Sequence, residues 1–146
     1  MKLSDKWWTY PAEGEKGQTI IVTGHDKIDD FRESGKYIYR VDVRWDYNSL
    51  PDGMPEEEDS KIMGEVTDAL TEAFKKDKVA VMTGIYTGEG AREWIFYTKN
   101  LKIFSIVFNR ALEDIQTIPI VIEASEDAGW EEYLEMKEKT YIPEED

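Results

Sequence analysis

The chain has 146 residues, 40% hydrophobic and 12% aromatic, enough for one domain with a buried core. Asp and Glu number 32 against 18 Lys and Arg, a net charge of −14, so the positive footprint that a nucleic-acid binder needs is missing. Cysteine is absent, which excludes disulfides and thiolate chemistry, and no apolar run approaches the ~20 residues of a membrane span.

The opening MKLSDKWWTY lacks the apolar core of a secretory signal, and the expectation is a cytoplasmic protein. KWWTYPA, the turn-like EGEKGQ and TIIVTG read as a β-hairpin. HDKIDDFRESG is polar apart from Ile28 and Phe31 and reads as a loop or one helical turn. Residues 36–47, KYIYRVDVRWDY, are a long strand, followed by the turn-rich NSLPDGMP. A helix is predicted from Pro55 to Lys76, with acids at its start, lysines at its end and an apolar stripe of Ile62, Val66, Ala69, Leu70, Ala73 and Phe74. KVAVMTGIYT and AREWIFYT form a second hairpin around GEG. Asn100 is placed to cap a helix over residues 101–114 that carries Phe104, Val107 and Phe108. TIPIVIEA is a strand whose Pro119 assigns it to a sheet edge. Asp127 is a candidate cap for a last helix bearing Trp130, Tyr133 and Leu134, and the tail YIPEED is expected to fray.

From residue 36 the order is strand, helix, strand, strand, helix, strand. This is the α+β, ferredoxin-like βαββαβ arrangement with an antiparallel sheet, in which the first and third strands are central. One domain is expected. Residues 1–35 form its hairpin extension, 36–124 the core, and 125–146 an acidic helix and tail.

The long strand interleaves two patterns. Tyr37, Tyr39, Val41, Val43, Trp45 and Tyr47 alternate with Arg40, Asp42, Arg44 and Asp46. The aromatic and branched face should meet the two core helices, and the charged ladder should point the other way. AREWIFYT is apolar on both faces, so something must also cover part of the second face. The N-terminal hairpin and the last helix are the spare elements. Under such cover the ladder would be semi-buried and paired within itself. Alternatively, Arg40, Asp42, Arg44, Asp46, Arg92 and Glu93 form a carboxylate–arginine site able to hold a carboxylate or phosphate.

No phosphate loop, nucleophile elbow or zinc helix is present. His25, the single histidine, lies in a polar GHD stretch and is expected to be solvent-exposed. No cofactor and no metal is expected. The RNA-binding signature that some ferredoxin-like sheets carry is also missing. Charge is uneven: residues 113–146 hold 12 acids and two bases, a net of −10. That quarter is either a solubilising surface or a patch that captures a basic protein partner through Glu131, Glu132 and Glu135.

WWTY, LPDGMPEEEDSKIMGEVTDALTEAF, VAVMTG, GEGAREWIFYTKN and DAGWEEYLEMKE, in that order, resemble the bacterial family known as domain of unknown function 695. The shared positions are Trp7 and Tyr10, Pro55 to Glu57, Gly90 with Arg92, Phe96 with Tyr97, and Asp127, Trp130 and Tyr133. More faintly, the family is similar to regulator of ribonuclease E activity B, a small acidic α/β inhibitor of an RNA-degrading enzyme. The resemblance implies a bacterial protein of this fold and assigns no reaction. Two functional readings follow. One is a non-enzymatic acidic interaction domain that binds a protein partner. The other is a small-molecule or hydrolytic site around Arg40, Arg44 and Arg92. Neither monomer nor dimer is specified.

Overall fold

The computed structural model describes residues 1–143. Ten elements run in the order β1 Trp7–Glu13, β2 Thr19–His25, α1 Asp29–Glu33, β3 Tyr39–Asp46, α2 Glu57–Lys76, β4 Ala80–Gly88, β5 Ala91–Thr98, α3 Leu101–Ala111, β6 Ile120–Glu126 and α4 Glu131–Thr140. All six strands join one antiparallel sheet ordered β1-β2-β4-β5-β3-β6. The four strands β4-β5-β3-β6 have the ferredoxin-like order, with β3 and β5 inside and β6 at an edge. The expected hairpin does not lie over the sheet. Its strand β2 pairs with β4 and lengthens the sheet instead.

Local chemistry sets most boundaries. The β4–β5 turn has two central residues, Glu89 at φ 50 and Gly90 at φ 83, the pattern of a type I′ hairpin. The Glu89 carboxylate then accepts the Lys16 N–H at 2.7 Å, tying the β1–β2 loop to this turn. Asn100 caps α3 by accepting the Ile103 N–H at 2.9 Å. Helix α2 starts at Glu57, two residues after Pro55, because Pro55 closes the preceding loop in a bridge with Ser49. Pro119 lies just outside β6, where Ile120 N–H turns back onto Ile118 O.

Helices α2 and α3 cover the first face. Val41, Val43 and Trp45 of β3 meet Met63, Val66, Leu70 and Phe74 of α2 and Phe104 and Phe108 of α3. Trp94 and Phe96 of β5, with no measurable exposure, fill the same layer. Tyr37 departs from the expected aromatic row. It precedes the strand and joins the opposite core, its hydroxyl donating to Lys78 O at 2.7 Å.

The second face is covered by α1 and α4 on its β1-to-β5 half. Ile28 and Phe31, in the segment read as polar loop, are 1% exposed and pack here with Trp8, Val22, Ile95, Tyr97, Trp130 and Tyr133. Buried donors anchor α4. Trp130 Nε1–H donates to Tyr37 O at 2.8 Å, Tyr133 O–H to His25 O at 2.7 Å, and Trp8 Nε1–H to Thr140 Oγ1 at 2.9 Å. Trp130 sits at φ 56, a backbone region costly for a bulky residue, and its stack on Tyr97 at 4.5 Å holds it there. Asp127 caps α4 from four residues upstream, accepting the Glu131 N–H at 2.9 Å. Tyr141 belongs to the tail expected to fray, but it is packed edge-on against Trp8 at 5.1 Å and donates to Asp26. The rest of that tail, residues 144–146, lies outside the described residues.

Two register partners, Gly24 of β2 and Gly84 of β4, make the floor on which this layer sits. A Cβ at Gly24 would lie 2.0 Å from the Trp8 ring, and one at Gly84 would crowd Met136 of α4. Gly24→Ala is therefore expected to lower stability by about 1–3 kcal/mol, as overpacking of a rigid core does. Denaturant unfolding followed by tryptophan fluorescence measures it; unchanged stability would mean that Trp8 does not rest on Gly24.

Candidate functional site

Antiparallel pairing of β3 with β5 puts Arg40, Asp42 and Arg44 opposite Tyr97, Ile95 and Glu93 on the second face. On the other side β6 sets Ser125, Glu123 and Val121 against the same three. Helix α4 covers only the β5 side of this strip. The ladder is thus half-covered at one end and open at the other: the Arg40 and Asp42 side chains are 30% and 28% exposed, Arg44 and Asp46 49% and 66%.

Every arginine of the ladder has an acid. Arg40 Nε lies 3.0 Å from Asp42 Oδ1, an ionic contact off the line of a hydrogen bond, while its Nη2 donates to Asp42 Oδ2 at 3.3 Å. Arg44 donates to Asp46 at 2.9 Å and to Glu93 at 2.7 Å. Burial works against the Arg40 charge, but Asp42, Glu132 and Asp127 outweigh it and raise its pKa.

Glu132 enters this cluster from α4. Its neighbours Glu131 and Glu135 are exposed, but Glu132 turns toward the sheet and accepts the Tyr86 hydroxyl. Its Oε2 is shut off from solvent without a partner among the described residues. Burial raises the Glu132 pKa, opposed by Tyr86 and Arg40. Burial also raises that of Asp42, opposed by Arg40. Burial acts upward on Asp127 as well, but the Tyr97 hydroxyl at 2.6 Å and two α4 amides leave it lowered. The three acids proposed from the sequence as one contact surface are therefore two surface groups and one inward group.

Arg92 does not join them. It opposes Trp45 in the register and faces the helix side of the sheet. There its guanidinium donates to Thr87 Oγ1 at 2.6 Å and Thr67 Oγ1 at 3.1 Å and lies 5.1 Å from the Trp94 ring. No carboxylate pairs with it among the described residues, and burial brings its pKa down to about 10. Thr67 uses all its capacity, accepting also from Trp94 Nε1 and donating to Met63 O. The sheet separates Arg92 from Arg40 and Arg44, so a single three-arginine pocket does not form.

His25 is not exposed as expected. It ends β2, is 3% exposed, stacks on Trp7 at 4.0 Å, and has a carbonyl oxygen 2.7 Å from each ring nitrogen, Met82 O and Ser4 O. Burial lowers its pKa against those two carbonyls. A neutral imidazole has one N–H, so both contacts are hydrogen bonds only when the ring is protonated. No sequence pattern signals the Tyr86–Glu132 or Tyr97–Asp127 pairs, which join positions 46 and 30 residues apart. Among the described residues no group of three acids and histidines is arranged for a metal ion, and no helix is long and apolar enough to cross a membrane.

The raised Glu132 pKa fixes a sign. The folded state holds this proton more tightly than the unfolded chain, so stability falls as pH rises from the ordinary carboxylate range through the raised value. Asp42 adds a slope of the same sign; Asp127 adds the opposite one at lower pH. Glu132→Gln keeps an acceptor for Tyr86 and has no charge to bury. It should raise the melting temperature at neutral pH and flatten its decline above the carboxylate range. An unaltered pH profile in scanning calorimetry would contradict this.

Residues 5–136 match a protein family described as a family of unknown function, DUF695. No curated protein and no solved structure matches the chain. None of these comparisons shows the fainter similarity to regulator of ribonuclease E activity B. The order of short motifs read from the sequence and the near full-length match agree: the chain belongs to the DUF695 family.

Proposed function

We propose that this protein is a non-catalytic interaction domain whose acidic surface, formed by β6 and α4, binds a basic protein partner. The observation that carries the reading is the lack of local neutralisation. Among the described residues no ion pair involves Glu123, Glu126 or Glu131, whereas the arginines of the neighbouring ladder are all matched to acids. Elsewhere the acids stand beside nearly as many bases, 20 against 16 in residues 1–112, whereas residues 113–146 carry 12 against two. Paired arginines on one face and Arg92 on the other leave no convergent arginine pocket on the sheet for an anionic substrate.

Glu131 and Glu135 are the groups to test, since Glu132 is held by Tyr86; Glu131 has no ion pair among the described residues, and Glu135 meets only the exposed Lys139, at 2.8 Å. A partner captured at low salt from a lysate of the source cells, identified and purified, should bind the wild-type chain with a salt-sensitive affinity. The double variant Glu131→Lys, Glu135→Lys should weaken that affinity by roughly tenfold or more, with an unchanged melting temperature. Titration calorimetry at two salt concentrations checks it. Binding indifferent to both salt and charge reversal would remove this surface from the account.

A further inference from the structure

The sheet has two edges, β1 and β6. Strand β1 carries Pro11 in its interior, which takes one N–H out of the edge. Strand β6 spans seven residues without proline or lysine, and its charged residues, Glu123 and Glu126, repel an acidic strand but not a basic one. The register shows which of its groups are free. Asp127 N–H donates to Ile38 O at 2.8 Å, so in the alternating antiparallel pattern Val121, Glu123 and Ser125 also bond inward to β3. The opposite side of β3 gives the same phase: Tyr47 N–H donates to Gly90 O, which turns the odd residues of β3 to β5 and the even ones to β6. Ile120, Ile122, Ala124 and Glu126 therefore aim their backbone groups out of the sheet. Ile120 N–H is satisfied by Ile118 O, which leaves the N–H groups of Ile122, Ala124 and Glu126 for an incoming chain.

The two faces of the edge differ in what flanks them. Val121 is 57% and Ile122 46% exposed, on opposite faces of the strand. Glu123 shares the Val121 face and Glu126 the Ile122 face; the Glu123 face, which lies on the α4 side of the sheet, borders a shallow recess of about 330 Å³ lined by Arg40 and Ser125 together with the acids Glu126, Asp127, Glu131, Glu132 and Glu135. A second copy of this chain fits poorly. It would bring another net −14 and a second Glu123 and Glu126 onto the same ribbon.

We propose that the partner docks by strand addition at β6. An extended segment of another protein becomes the seventh strand, hydrogen-bonded to the outward groups of Ile122, Ala124 and Glu126. Its side chains alternate, basic on the Glu123 face and apolar on the Ile122 face. Main-chain bonds hold the segment and the alternation selects it. This inference rests on the reading of the acidic surface as a partner site and names how that site is filled.

The test uses the full chain, labelled with nitrogen-15, and a synthetic peptide of about ten residues that alternates lysine with valine and threonine. Its controls are the same peptide N-methylated on alternate amides and one with glutamate in place of lysine. Strand addition predicts that the basic peptide slows exchange of the Ile122, Ala124 and Glu126 amides by roughly tenfold at saturation, while the Val121 and Glu123 amides, already bonded to β3, change little. It also predicts that N-methylation abolishes the effect and that the glutamate peptide does not bind. Equal binding of the N-methylated peptide, or binding without protection of those three amides, would overturn strand addition and leave the acidic surface standing. No binding of the basic peptide at low salt would overturn both.

Discussion

Strand β5 is apolar on both faces, and the rest of the molecule is arranged around covering it twice. Trp94 and Phe96 are sealed by α2 and α3, Ile95 and Tyr97 by α4. The second cover is a ten-residue helix with few apolar side chains of its own. It is held by buried ring donors, the Trp130 indole on Tyr37 O and the Tyr133 hydroxyl on His25 O, and by the Asp127 carboxylate, which links Tyr97 to the first α4 amides. Each of these groups would be costly if buried without its partner, so together they fix the position of α4 and not merely its presence.

One short helix cannot span six strands, and the charge pattern follows from where it stops. Under α4 the sheet is aromatic and glycine-floored. At its margin lie the Tyr86–Glu132 contact and the Arg40–Asp42 pair, half-covered and with raised carboxylate pKa values. Beyond it Arg44 and Asp46 are open to water. The ladder of residues 40–46 is thus a graded interface between a core and solvent, with its charges matched internally. The acids without an ion pair among the described residues, Glu123 and Glu126 on β6 and Glu131 at the start of α4, lie farther out, and the proposed function is assigned there for that reason.

Much of this was legible in the sequence. Period-two alternation in YRVDVRWD, the glycine turn before AREWIFYT and the Asn100 cap gave the strands and helices, and double-sided hydrophobicity in AREWIFYT required a second cover. The position of the hairpin was not legible, because alternation in KWWTYPA suits a strand added to a sheet as well as one laid over it. Ile28 and Phe31 were lost among charged neighbours, although two apolar residues three apart suffice for one buried helical turn. Arg92 was grouped with Arg40 and Arg44 by residue type, but strand parity sends it to the other face: it opposes Trp45, an odd member of β3. The Thr-Gly pairs at 23–24 and 83–84, which form the floor under Trp8 and Met136, were a signal present in the sequence and visible only once the two strands were paired.

The proposed partner site requires β6 to be an open, acidic edge in solution. Amide hydrogen exchange of the free protein, resolved by residue, addresses this most directly. The register predicts alternating protection along β6, with Val121, Glu123 and Ser125 exchanging slowly and Ile122, Ala124 and Glu126 exchanging fast. Uniform protection of all six amides would show the edge already covered, and would contradict the claim that it waits for a partner.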